Sequence, residues 1–458
     1  MKSNVGFLAL IAALGGFLFG YDTAIISGTI GFVKTQFGLS TAMEGWYVSS
    51  ALVGTILGVL VAGLLSDRYG RKNMLIMSGI FFAASAVGCV ISGSFQSLVM
   101  YRLLGGLGVG VASMLSPLYI SEIAPAKNRG RLVALYQLAI TLGILCAYFA
   151  NAYLLSVSES APSLEASGFW YKISVAEVWR VMLGSETIPA LVFLLLLLAI
   201  PKSPRWLASK GKIEEAQRIL RGFMSQEEAD MEIKQVREVL SRKSLGIKSV
   251  FNGPFRLAMI IGIGLAFLGQ LSGINAIIYY GPRILEEGGI PLGEALGSQV
   301  IIGLVNVIFT FVALWKIDKI GRKPLLIYGI IGMTISLLMV GTLFYLEVNN
   351  TYLLMTFILT FLACFSFSFG PVLWVLLSEI YPLKIRGAAM SIATLAVWLG
   401  ATFIGQMTPW LLENLLPHGT FWFFAIFMVP AMYLVVKILP ETKGKSLEEI
   451  EDYWLKKK

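Results

Sequence analysis

The chain has 458 residues, of which 57% are hydrophobic and only 14% charged, and its mean hydropathy is +0.77. A soluble chain of this length would carry roughly a quarter charged residues, so these charges are too few to cover a water-facing surface, and a water-soluble globule is excluded. The net charge of +9 does not point to nucleic acid, because Lys and Arg gather in short segments between apolar runs, as the positive-inside rule requires.

A membrane helix needs about 20 mostly apolar residues. The first such run covers 5–31 and continues through Gly20 and Tyr21 without a small-residue cleavage site, so it is read as a retained helix rather than a signal peptide. It contains Asp22, an acid inside lipid depth. Spans two to six follow at 46–65, 74–93, 98–120, 132–155 and 181–200; Arg102 opens span four, Gln137 lies in span five and Glu186 in span six. Glycines at 54, 58, 106, 108 and 110 mark spans two and four for close packing. The segment Gly106–Gly110 resembles part of a dinucleotide loop but lacks the strand and turn such a loop needs.

Residues 201–255 form the one stretch of water-soluble character. Ile213, Ala216, Ile219, Leu220 and Phe223 recur at helical spacing, a second charged helix is expected over 226–242, and the segment is read as an amphipathic linker on the cytoplasmic face. Six further spans follow at 256–281, 297–315, 325–346, 352–377, 388–412 and 420–439. Span seven holds Gln270, Asn275 and Tyr279, span eight Asn306, and spans ten and eleven Trp374 and Trp398. Gln270 and Asn275 diverge on a continuous helix, and Gly269 and Gly273 allow a break there. His418 falls between the last two spans and is read as a solvated loop residue. Cys89, Cys146 and Cys364 sit in apolar runs, so neither a disulfide framework nor a metal site is expected, nor a cofactor.

The expected fold is therefore all-α: about twelve membrane helices, since a helix satisfies its own backbone in lipid. Basic residues after spans two, four, eight and ten, among them Lys127 and Lys384, place both termini and the linker in the cytoplasm. A repeat sharpens this plan. Asp67-Arg68-Tyr69-Gly70-Arg71-Lys72 after span two matches Asp318-Lys319-Ile320-Gly321-Arg322-Lys323 after span eight. Ser121-Glu122-Ile123-Ala124-Pro125, ending in Arg129-Gly130, matches Ser378-Glu379-Ile380-Tyr381-Pro382, ending in Arg386-Gly387. The two offsets are 251 and 257 residues. The halves close on related phrases, Pro201-Lys202-Ser203-Pro204-Arg205 and Pro440-Glu441-Thr442-Lys443-Gly444. The domains are thus expected at 1–200, 201–255, 256–440 and a tail at 441–458, with a binding site between parallel six-span repeats.

These loops, the paired SEIxP…RG phrases, the two endings and the segment Gln270-Leu271-Ser272-Gly273-Ile274-Asn275 together resemble the sugar porter family of the major facilitator superfamily, over almost the whole chain. Its bacterial proton-coupled xylose and hexose symporters are the best match. The resemblance implies a monosaccharide carried by alternating access in symport with a proton, by a monomer of the inner membrane. Uniport and a sugar-sensing role remain open alternatives, whereas no nucleophile–base pair or metal cluster suggests an enzyme.

The resemblance makes Asp22 the coupling acid and Arg102 its partner, with Glu186 added as a further intramembrane acid; the plainer alternative is a static pair fixing span one to span four. Amides, hydroxyls and aromatic faces suit a sugar ring, which selects Gln137, Gln270, Asn275, Tyr279, Asn306, Trp374 and Trp398, and Phe19 and Gly370 are counted among the sugar contacts. Asp67, Arg68, Arg71, Glu122, Arg129, Asp318, Arg322, Glu379 and Arg386 are expected to form a cytoplasmic gate whose ion pairs hold the halves together in one access state. Gly269 and Val397 depart from the family pattern by removing polar groups, and leave the identity of the sugar open.

Overall fold

The computed structural model describes residues 5–125, 128–160, 168–223, 225–241, 256–348, 350–381, 385–445, 449–450 and 453–454. Lys127, Pro382, Lys384, the linker beyond Ser241 and parts of the tail, all included in the expectations above, lie outside them. Among the described residues, twelve helices are long and apolar enough to cross a membrane: Val5–Gly28, Thr41–Tyr69, Arg71–Ile91, Phe95–Ile123, Arg129–Glu159, Trp179–Ala199, Arg256–Glu287, Leu292–Ile320, Arg322–Tyr345, Thr351–Ile380, Arg386–Asn414 and Leu416–Ile438. They are spans one to twelve below. Several outrun the expected apolar runs because their charged ends, such as Asp67 and Arg68, continue the same helix.

The chain folds into two compact units, Met1–Phe32 with Ser50–Lys243, and Val33–Ser49 with Ser244–Lys458. In the first, glycine decides how closely helices approach. A Cβ on Gly106 or Gly110 of span four would overlap the carbonyls of Ala51 or Thr55 in span two, and Cβ atoms on Gly54 and Gly58 would overlap Leu103 and Leu107. With no hydrophobic drive between helices in lipid, such backbone contact supplies the packing. Gly20 and Gly143 bring spans one and five together in the same way, against Ile140 and Phe17.

The linker helices also belong to this unit. Leu207, Ala208, Ala216, Leu220, Ala229 and Ile233 form a small apolar core, with Trp206, Ile213 and Ile219 packed against it. The helix Ile213–Leu220 is shorter than the apolar pattern suggested, leaving Phe223 in the following turn, and Gln226–Ser241 is the second charged helix. A third, Pro204–Ser209, is begun by Ser203, whose hydroxyl accepts from Trp206 N–H, and by Pro204 at its first position.

Among the described residues, spans one, six, seven and ten are interrupted near candidate residues. Span one tightens after Ile25 into a 3₁₀ turn, Ile26–Gly28. Span six breaks at Ser185 and Glu186. In the second unit, span seven breaks after Leu271 and resumes at Ile274, with Gly273 at φ +86°, a left-handed conformation that favours glycine. Span ten breaks at Ser368. His418 is not in a loop: it lies in the first turn of span twelve, its ring 5.4 Å from both Tyr345 and Trp422.

Candidate functional site

The interruptions fall where the candidate residues stand. In the first unit, Asp22 of span one, Arg102 of span four and Glu186 of span six are each 2% exposed. Arg102 donates to Asp22 Oδ1 at 2.5 Å. Glu186, at the break in span six, sets a second carboxyl against Asp22, and its Oε1 has no hydrogen-bond partner among the described residues. Two acids and one guanidinium thus stand close together in a dry site, where an uncompensated charge is costly. Span three closes the cluster: Gly105 abuts Ser85, and the buried Cys89 lies within electrostatic reach of all three charged groups. Beside it, the Tyr21 and Ser185 hydroxyls are 2.7 Å apart.

Phe19 and Gln137 also belong to this unit, both half-buried. The remaining candidates for sugar contact lie in the second. The break at Gly273 turns Asn275 back so that its Nδ2 donates to Gln270 Oε1 at 2.7 Å. This pairing leaves the Gln270 NH2 and the Asn275 carbonyl as a donor and an acceptor side by side. Tyr279, one turn further along, is buried. Asn306 accepts from Ser366 at 2.8 Å and from Thr310 at 3.4 Å, so two hydroxyls fix its amide. Gly400, two residues after the buried Trp398, leaves room for the Gln270 side chain, and Phe369 fills the space that a side chain at Gly269 would occupy. Gly370 follows the Ser368 break, and Trp374, a turn beyond, is 37% exposed.

The charged loops form one network in each unit. Arg71 pairs with Asp67 at 2.9 Å and with Glu122 at 3.1 Å; Arg322 pairs with Asp318 at 3.0 Å and grips Glu379 through two N–H groups at 3.0 and 2.8 Å. The glycine of each motif supplies the turn, Gly70 at φ +91° and Gly321 at φ +104°. The sequence reading missed the hydroxyls that complete these networks. Ser203 donates to Glu122, and Thr442 donates to Glu379 at 2.6 Å. Each stands two residues after the proline of its closing phrase, a signal the repeat already carried. Glu441 accepts the first N–H groups of span nine, which have no partner within the helix, from Arg322 at 3.1 Å and Lys323 at 3.0 Å.

The gate residues do not all converge. Arg129 goes to Glu232 of the linker at 3.3 Å, where Arg205 joins it. Arg68 lies over the Tyr69 ring at 5.2 Å, and Arg386 donates to the Tyr381 carbonyl at 3.2 Å. The pairs of Glu122 and Glu379 are made inside their own units, whereas the sequence reading had them holding the halves together.

Comparison with known proteins agrees with this architecture. The family model for sugar (and other) transporters matches residues 8–454. An arabinose-proton symporter of Bacillus subtilis is 42% identical over 99% of this chain and 96% of its own length. A D-xylose-proton symporter of Escherichia coli is 39% identical over 99% and 96%. A structure of the xylose transporter XylE from E. coli, in a partially occluded inward-open conformation, superposes with a TM-score of 0.84 at 36% identity, covering 97% of this chain and all of that one. The chain belongs to the sugar (and other) transporter family, the sugar porters of the major facilitator superfamily.

Proposed function

We propose that this chain moves a monosaccharide across the bacterial cytoplasmic membrane by alternating access, together with a proton. The observation that carries the coupling is the buried trio of Asp22, Arg102 and Glu186, an ion pair with a second acid beside it. A proton arriving at Asp22 weakens its hold on Arg102, and the freed guanidinium shifts toward Glu186. Span four then moves relative to span one, which turns a local charge change into a change of packing. The symporter relatives support the same reading.

The sugar is held by Gln270 and Asn275 as a paired donor and acceptor, by Asn306 and Tyr279, and by Gln137, with Phe19, Trp374 and Trp398 against its CH face and Gly370 giving room. Arg71 with Glu122, and Arg322 with Glu379, stabilise one access state from the cytoplasmic ends; Asp67, Asp318, Arg68, Arg129 and Arg386 support them. The working unit is a monomer with six-span bundles over 1–200 and 256–440, a linker over 201–255, a tail over 441–458 and both termini in the cytoplasm.

The test is uptake into proteoliposomes of a panel of labelled pentoses and hexoses, with and without an imposed pH gradient. At least one sugar is expected to accumulate above equilibrium only with the gradient. Uptake that equilibrates and ignores the gradient would make the chain a uniporter, and no uptake of any sugar would remove the transport reading.

A further inference from the structure

Glu44 has no place in the site described above, yet it is completely buried. It belongs to the segment Val33–Ser49, which folds with the second unit although the chain on either side of it folds with the first. Both of its carboxylate oxygens meet cations. Arg283 of span seven pairs with one, and Lys34, from the same segment, lies 2.7 Å from the other. Arg283 also reaches Glu287 at 3.8 Å. Around this triad the segment is tied to span eleven: Ser49 donates to Gln406 at 2.7 Å, Gln406 donates to the Ala42 carbonyl at 3.0 Å, and Thr41 donates to Glu413. Gly45 sits so close that any Cβ would overlap Gln406.

Two facts give this strap a mechanical meaning. Asn275, Tyr279 and Arg283 recur every four residues after the break at Gly273, so they form one stripe of one half-helix. The strap is also the direct continuation of span one, beginning eleven residues after Asp22. A buried carboxylate separated from its partner is strongly destabilised, so a strap that left this seat would have to carry Glu44 out to water.

We infer that Glu44 and Arg283 are a positioning pair that docks the strap Val33–Ser49 on the half-helix bearing Asn275 and Tyr279, and that the strap must undock in each transport cycle. The pair thereby links the span that carries Asp22 to the helix that carries the sugar contacts. This rests on the transport reading above.

The test uses the full chain in proteoliposomes, with Cys89, Cys146 and Cys364 replaced by Ala and with Glu44→Cys and Arg283→Cys added. Bridging the two thiols with a short reducible bis-methanethiosulfonate is expected to cut uptake of a sugar that the native chain carries by at least about fivefold, the lower range of a coupling between sites. Reduction is expected to restore it. Uptake at the unbridged rate would overturn the inference. A second measurement needs neither transport nor the double variant. A thiol at the buried Ser49→Cys is expected to react with an impermeant maleimide at least about fivefold faster when Glu44→Gln is added, and Glu44→Asp is expected to return the slow rate. Equal labelling with Glu44 and with Gln at that position would equally overturn the inference. Failure of the native chain to carry any sugar would instead remove the transport reading, leaving the labelling to decide whether the pair docks the strap.

Discussion

Asn275 and Gln270 lie five residues apart and meet only because Gly273 adopts a left-handed backbone between them. A side chain there would be strained by about 1–2 kcal/mol and would overlap the Phe424 ring. Gly273→Ala is therefore expected to lower sugar affinity by separating the two amides, even though the substituted residue makes no sugar contact itself. Asn275→Ala removes the acceptor directly and leaves Gln270 unfixed. Its expected cost is about one hydrogen bond, roughly 1 kcal/mol, read as a rise of about fivefold in the KM for uptake. An unchanged KM in both variants would remove this pair from the sugar site. Asn306, by contrast, is held by Ser366 and Thr310, so Ser366→Ala is expected to produce a smaller rise in KM than Asn306→Ala.

At the scale of helices, close approach and terminal charge do different work. Span four packs on span two through glycines whose replacement has no room, since the neighbouring atoms are backbone carbonyls that cannot rotate away. Gly106→Val is expected to lower the detergent melting temperature by about 1–3 °C, from an overpacking cost of about 1–3 kcal/mol. An unchanged melting temperature would show that the two helices can separate at little cost. The loop networks are expected to affect conformation more than folding. Glu122 and Glu379 each bind one arginine and one hydroxyl. Glu122→Gln and Glu379→Gln are expected to shift the protein toward states open on the cytoplasmic side, measured as faster labelling of a thiol placed there. Labelling equal to the native rate in both variants would exclude a gating role.

Across the whole molecule, the features legible in the sequence were those that recur or that violate a simple rule. Twelve apolar runs, two repeated loops and three charged residues at lipid depth needed no structure to find, and Asp22, Arg102 and Glu186 do converge. The partner of each gate residue was not legible, because a charge motif fixes where cations and acids stand but not which ones meet; Arg129 turned to Glu232 in the linker. Backbone breaks at Ser368 and Glu186 left no mark in the apolar pattern, since hydropathy is blind to φ and ψ. Glu44 is not legible in the sequence for a related reason. It precedes the apolar run of span two, where a solvated acid and a buried ion pair give the same composition, and only the fold shows it fully enclosed.

The most direct measurement of the central claim is the pH of a weakly buffered medium around cells or outside vesicles when a transported sugar is added. With the native chain, sugar is expected to alkalinise the medium as protons enter with it. With Asp22→Asn, which keeps the shape of the side chain and removes its titratable proton, sugar exchange is expected to persist while the alkalinisation disappears. An equal pH change in both proteins would contradict the account.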